Sequence, residues 1–328
     1  MAHFILRRIL IFIPFLALVS IVSFIVIQLP PGNYVDTYVR NLEIQGGSVS
    51  DTEKAALEAQ YGLNQPLPVQ YGIWIKNIVL HGDFGNSFTY QRPVADILKE
   101  RIPRTMGIAL ASIFLTWLLA VPVGIISGLK QYSVWDHIFT FISFVGLAMP
   151  AFLMALVLMY VVYEKTGFLV SGLFSPQYRS APWSFAKVVD MLQNIWLPLL
   201  VLALTNAAGV VRVLRASLLD ELKKQYVTTA RAKGLPEWKL VLRYPVRLAI
   251  NPLISTIGWL LPAAVGGEVV VAKVLNLPTT GPMLFTAIQS QDIYLTGGLI
   301  MILSALTIIG TLISDILLAV VDPRIRYD

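Results

Sequence analysis

Ile9 to Leu29 contains no charged side chain, and neither do Met106 to Leu129, Ile138 to Tyr163 and Ile195 to Val211. Leu248 to Val271 holds one acid, Glu268, and Ile293 to Val321 holds one, Asp315. About 20 apolar residues carry an α-helix across the hydrocarbon of a bilayer. The expected fold is therefore an all-α polytopic membrane protein with six transmembrane helices. Composition agrees, since 56% of the 328 residues are hydrophobic and 13% are charged, against about a quarter charged in soluble domains. That is too few to cover a water-facing surface, which excludes a soluble enzyme; the lack of cysteine excludes a disulfide scaffold.

The first run follows Arg7 and Arg8, as a secretion signal would. It is longer than the about 7–15 residues of a signal's apolar region, and it ends in Gln28-Leu29-Pro30-Pro31-Gly32, a poor cleavage site. A retained helix is the reading. Prolines 122, 150, 198 and 262 fall inside the runs, which a membrane tolerates where neighbouring helices or waters satisfy the freed carbonyls.

Six crossings put both termini on one side, and lysine and arginine choose it. Between the fourth and fifth runs stand Arg212, Arg215, Lys223, Lys224, Arg231, Lys233, Lys239, Arg243 and Arg247, against Asp220, Glu221 and Glu237. Pro30 to Thr105 is nearly balanced. The basic segment and both termini are thus expected in the cytoplasm, and the positive charge requires no nucleic acid. The expected organisation is 1–29, the N-terminus and first helix; 30–105, an extracellular or periplasmic segment of short helices; 106–321, the remaining helices with an inner loop at 212–247; and 322–328, a cytoplasmic tail.

In the outer segment, Ser50 and Glu53 read as a capping box opening a short helix that Gly62 would close. Val69 to Leu80 predicts a second helix, with Trp74 and Tyr71 suited to the membrane interface, and Pro93 a third over Val94 to Arg101. Phe168 to Asn194 reads as a second outer loop. Catalytic signatures are missing: no Gly-rich loop ending in Gly-Lys-Ser or Gly-Lys-Thr, no His-Glu-x-x-His, no Gly-x-Ser-x-Gly. The histidines (His3, His81, His137) are scattered, so neither a metal nor a catalytic site is expected, and transport is.

The most informative stretch is Gln225 to Trp238. A short helix ends at Gly234, a residue suited to a left-handed helix end, and Pro236 starts a second helix through Arg243. The pattern presents small residues at Thr229, Ala230 and Ala232 for close approach of another chain, with Arg231 and Lys233 in the last turn available to carboxylates. Two readings stand on pattern alone: a rigid helix–glycine–helix knob, or a basic loop that only sets topology.

Thr228-Thr229-Ala230-Arg231-Ala232-Lys233-Gly234 resembles the Glu-Ala-Ala…Gly coupling motif of ATP-binding-cassette importer permeases. With Tyr226, Val227 and Leu235 it is similar to the form found in the peptide/nickel branch, the dipeptide and oligopeptide permease B-type subunits. Phe4-Ile5-Leu6-Arg7-Arg8, Tyr61-Gly62-Leu63-Asn64-Gln65-Pro66-Leu67 with Gln70-Tyr71, His81-Gly82-Asp83-Phe84-Gly85-Asn86-Ser87, Met149-Pro150-Ala151-Phe152 and Asp322-Pro323-Arg324-Ile325-Arg326 extend the resemblance along the chain. It implies a type I importer transmembrane fold, with Thr228 to Leu235 docking on a cytoplasmic ATPase. It also implies two such ATPases carrying ATP and Mg, a second homologous permease and an outer solute-binding protein. This chain would not itself be an enzyme, and would reside in the plasma (inner) membrane of a bacterial or archaeal cell. The departures are Thr228 where the motif has Glu, Thr229 where it has Ala, Arg247 with Pro245 two residues before the usual proline, and Pro278-Thr279-Thr280-Gly281 where the branch often has Pro-Gly-x-Gly. The last weakens any transfer of substrate identity. Di- or oligopeptides come first, with oligosaccharides or nickel chelates as alternatives within the class.

Ionisable residues inside membrane helices are functional candidates because their burial is costly. Asp315 is read as a structural pair with Arg212 or Arg215. Glu268 either lines a pathway or reaches interfacial water, and Asn206 is a weaker pathway candidate. An ion-coupled secondary transporter with Glu268 or Asp315 as relay is the alternative of a different class. It calls for internal repeats, and none is visible.

Overall fold

The computed structural model describes residues 2–28, 34–44, 50–60, 64–257 and 269–321. The described chain is almost wholly helical: α1 Ala2–Gln28, α2 Tyr34–Ile44, α3 Asp51–Gln60, α4 Leu67–His81, α5 Val94–Leu129, α6 Val134–Ala148, α7 Ala151–Thr166, α8 Phe185–Leu222, α9 Gln225–Ala232, α10 Glu237–Arg243, α11 Pro245–Ala249, α12 at 251–257, α13 Val269–Val274, α14 Thr280–Gln289 and α15 Ile293–Val321. One antiparallel pair of two-residue strands, β1 (Asn86–Ser87) and β2 (Arg92–Pro93), precedes α5.

Among the described residues, three helices are long and apolar enough to cross a bilayer, within α5, α8 and α15, or four if α6 and α7 count as one interrupted span. The third apolar run is therefore not one straight helix. α6 and α7 meet at 106° because Pro150 disfavours helical backbone at the residue before it, and Met149 is extended, at φ −83° and ψ 124°. The fourth run is longer than expected, since α8 begins at Phe185 and continues past Val211 to Leu222. Of the fifth run, α11, α12 and the start of α13 are described, while 258–268, which holds Pro262 and Glu268, lies outside the described residues. The sixth coincides with α15.

The chain divides into two compact units, Met1–Thr105 with Thr279–Ile308, and Met106–Pro278 with Ile309–Asp328. In the first, α1 meets α4 through a hydrogen bond between Ser20 Oγ and Tyr71 Oη at 2.8 Å, and the ring of Phe24 meets that of Tyr71 edge-on. Ser50 Oγ accepts from the Glu53 amide and opens α3; Gly62 lies outside the described residues. The short helix expected after Pro93 is instead the first three turns of α5. Val94, Ile97 and Leu98 on its inner face pack with Met283, Ala287, Leu295 and Leu299.

The motif from His81 to Ser87 makes one piece with the start of α15. Gly82 closes α4 in the left-handed conformation, and Asp83 Oδ1 accepts from the Gly85 amide at 2.8 Å. The ring of Tyr294 lies where a Cβ on Gly85 would stand. The fully buried Asp292 caps α15 by accepting from the Leu295 amide through Oδ1. Its Oδ2 accepts from the Ser87 hydroxyl at 2.6 Å and the Thr89 amide at 3.0 Å.

In the second unit, the expected outer loop is largely structured. Ser184 caps α8, and the first turns of α8 bury Lys187, Asp190 and Asn194. Asp190 accepts from the amide and hydroxyl of Ser175. Lys187 donates to the Ala181 carbonyl and lies over the rings of Phe174 and Trp183. This packing starts α8 ten residues before the apolar run. Further along, Leu214 and Leu218 are fully buried and lie over Gly124 and Gly128 of α5, each within 3.0 Å of where a Cβ would be. Such small-residue notches let two membrane helices approach closely.

Candidate functional site

α8 runs directly into the elbow, with only Lys223 and Lys224 between Leu222 and α9. α9 ends as the glycine predicts. Gly234 takes φ +76°, its amide donates to the Arg231 carbonyl at 3.0 Å, and the Leu235 amide reaches back to the Ala230 carbonyl at 3.4 Å. These two reverse bonds are the Schellman ending of a helix, and Leu235 folds inward against the same core as Ala230. Pro236 stands at the N-cap of α10, where its missing N–H costs nothing. Pro245 is the first residue of α11 and buried, so the proline displaced from Arg247 still serves to start a helix.

The elbow is seated by one face. Val227 and Leu240 are fully buried, with Ala230 at 7% and Val241 at 3% exposure. They pack with Val210, Val211, Leu214 and Leu218 of α8, and with Val246, Ala249 and Leu253. Burying a side chain such as Leu240 is worth roughly 1.5–3 kcal/mol, so several of them hold the elbow to α8 firmly. Tyr226 donates to Glu221 Oε2 at 2.5 Å. Its phenol is pushed above the ordinary value, first by burial and then by that carboxylate, so it stays protonated as donor.

The opposite face is open. Thr228, Thr229, Ala232, Lys233 and Gly234 are exposed, as are Trp238 and Leu242, at 65% and 55%. Two expectations change. Ala230 is not among the presented small residues, because a helix seated by Val227 turns the residue three positions on to the same side. Arg231 is not awaiting a carboxylate from elsewhere: its Nη2 lies 2.6 Å from Glu237 Oε1 and its Nε donates to Oε2. Hydrogen bonding to Arg231 holds the Glu237 carboxyl below its ordinary range. The pair straddles Gly234 and ties α9 to α10.

Of the in-membrane candidates, Asn206 donates to the Leu202 carbonyl of its own helix at 2.8 Å. Arg215 does not pair with Asp315. It grips Asp136 at the start of α6, Nε to Oδ1 and Nη2 to Oδ2, both at 2.8 Å. Arg212 is exposed, and Glu268 lies outside the described residues. The partner of Arg215 is 79 positions away, and only the isolated acid of Asp136 beside an apolar run signalled it. Among the described residues no three His, Asp or Glu side chains stand together to hold a metal ion.

Known membrane permeases resemble the chain over its full length. The chain is 34% identical over 328 residues to the oligopeptide transport system permease protein AppB of Bacillus subtilis (strain 168), covering 100% of both chains. It is 32% identical over 331 residues to the oligopeptide transport system permease protein OppB of Escherichia coli (strain K12), and 31% over 332 residues to OppB of Haemophilus influenzae, again covering 100% of each. Residues 1–109 match the family described as "Binding-prot-dependent transport system membrane comp, N-term". Residues 120–327, which hold α6 to α15 and the elbow, match "Binding-protein-dependent transport system inner membrane component", and the chain belongs to that family of membrane transport permeases.

Proposed function

We propose that this permease is one of two membrane-spanning subunits of an ATP-driven importer of oligopeptides, working with an outer solute-binding protein and two cytoplasmic ATPases. The observation that carries the reading is the elbow: a two-helix projection seated on α8 by buried side chains, stiffened by the Arg231–Glu237 pair, and bare on its other face. The full-length similarity to named oligopeptide permeases supports the substrate class. The bare face of the segment Thr228 to Leu235, formed by Thr228, Thr229, Ala232, Lys233 and Gly234 with Trp238 and Leu242 beside it, enters a cleft on an ATPase that hydrolyses ATP with Mg. ATP-driven closure of the two ATPases moves both permeases' elbows, and the membrane helices alternate between inward-open and outward-open states. Nearly complete conversion between two states takes roughly 5.5 kcal/mol of bias, which a yielding loop would dissipate. The elbow and both termini lie in the cytoplasm, and the chain resides in the inner membrane.

Ala232→Trp tests this. Ala232 is exposed, so the variant is expected to insert in normal amount. It should lose co-purifying ATPase and the ATP-dependent uptake of a radiolabelled tripeptide, while uptake by the unaltered complex survives collapse of the proton gradient and fails on ATP depletion. Normal uptake by Ala232→Trp at normal membrane level would overturn the docking assignment.

A further inference from the structure

One carboxylate gathers three helices just above the elbow. Asp136 is 3% exposed and stands in the first turn of α6, whose N-cap Ser133 accepts from its amide. Its Oδ1 accepts from Ser127 Oγ in the last turn of α5. Its Oδ2 accepts from the Tyr132 amide at 2.9 Å, in a turn where Tyr132 takes φ +63°. Arg215 of α8 closes on both oxygens with its planar fork, the two-point geometry that makes arginine–carboxylate contacts directional. Arg215 follows Leu214 and precedes Leu218, the residues that lie over Gly124 and Gly128 of α5 and pack under Val227, Ala230 and Leu240 of the elbow. The segment of α8 beneath the elbow is thus locked to α5 by close packing and to α6 by a bidentate ion pair. α6 leads from there to the 106° break before α7.

We infer that the Asp136–Arg215 pair is a positioning latch for transport: it makes α5, α6 and α8 move as one body with the elbow, so that displacement of the elbow reaches the broken α6–α7 segment. The inference rests on the elbow being the ATPase contact. A buried ion pair is seldom a net gain in stability over apolar residues of the same volume. What the fork adds is fixed geometry between three helices that apolar contacts alone would let slide.

The test uses the complete complex in liposomes, with the binding protein added on the outer face, and measures ATP hydrolysis with and without it. Asp136→Asn and Arg215→Lys keep the size or the charge of the site and lose the fork. Both are expected to assemble with the ATPases and hydrolyse ATP at a basal rate within about twofold of the unaltered complex. Stimulation by the binding protein should fall roughly tenfold, within the usual range of a coupling between sites. Arg215→Lys is expected to retain more than Asp136→Asn. Unchanged stimulation in both variants overturns the latch, as does a loss of basal and stimulated activity in equal proportion, or failure of both to assemble, since each assigns the pair to folding alone. Ala232→Trp in the same assay separates the two readings. If it keeps its ATPases and its stimulation, the elbow assignment fails; if it loses them while the Asp136 and Arg215 variants behave normally, only the latch does.

Discussion

Replacing Gly234 isolates the cost of the elbow's bend. Its backbone sits at φ +76°, and no heavy atom lies within 4 Å of where a Cβ would be. Gly234→Ala therefore meets no obstacle, and its whole penalty is the left-handed backbone, about 1–2 kcal/mol for an L-residue. Asparagine visits that region more readily and should cost less. Proline cannot adopt it and also removes the N–H that donates to Arg231. Hydrogen exchange of peptides spanning 225–243, followed by mass spectrometry on the chain in lipid nanodiscs, reads the opening equilibrium directly. Gly234→Ala should speed exchange of the amides from Ala230 to Leu235 roughly 5- to 30-fold, Gly234→Asn less, and Gly234→Pro to full exposure. Alanine exchanging at the unaltered rate, or asparagine exchanging faster than alanine, would refute the claim that a left-handed ending holds the two helices together.

Ala230→Leu overpacks the seat on α8 and should lower stability by about 1–3 kcal/mol, seen as a lower melting temperature of the purified chain, whereas exposed Ala232→Leu should stay within about 0.5 kcal/mol. Asp292→Asn leaves only one acceptor oxygen for the amides of Leu295 and Thr89 and the hydroxyl of Ser87, and should destabilise by about 1–3 kcal/mol in the same melting assay. Glu237 titrates below its ordinary 4.5 because of Arg231, so its contribution is present above that value and lost as pH falls through the lowered one. Elbow exchange rates, corrected for intrinsic chemistry, should be flat above pH 5 and rise only in stronger acid, and a rise between pH 6 and 8 would contradict the pairing.

The parts legible in the sequence are those set by neighbours along the chain. Gly234 and Pro236 mark the elbow because helix ends are local chemistry, and α15 is a single uncharged run broken only by Asp315. Burial and long-range pairing were less visible. Nothing local distinguishes Ala230, turned into the core, from Ala232, turned out, since both are small residues of one short helix. Asp315 was the natural partner for Arg215 by depth along its helix, yet Asp136 wins because the α5–α6 turn brings it beneath α8. The early start of α8 depends on Lys187 and Asp190 meeting Ala181 and Ser175, contacts that a loop rich in aromatics and proline does not advertise.

The corner at Met149 and Pro150 carries a consequence for what surrounds it. α6 and α7 have 15 and 16 residues, rises of about 23 and 24 Å, so neither half alone traverses the roughly 30 Å of hydrocarbon. Carbonyls released where a helix stops cannot be left facing acyl chains, which offer no donor. Those carbonyls must therefore find their donors in neighbouring helices, polar side chains or water, so the joint is a point where the surroundings of the chain have to be something other than lipid.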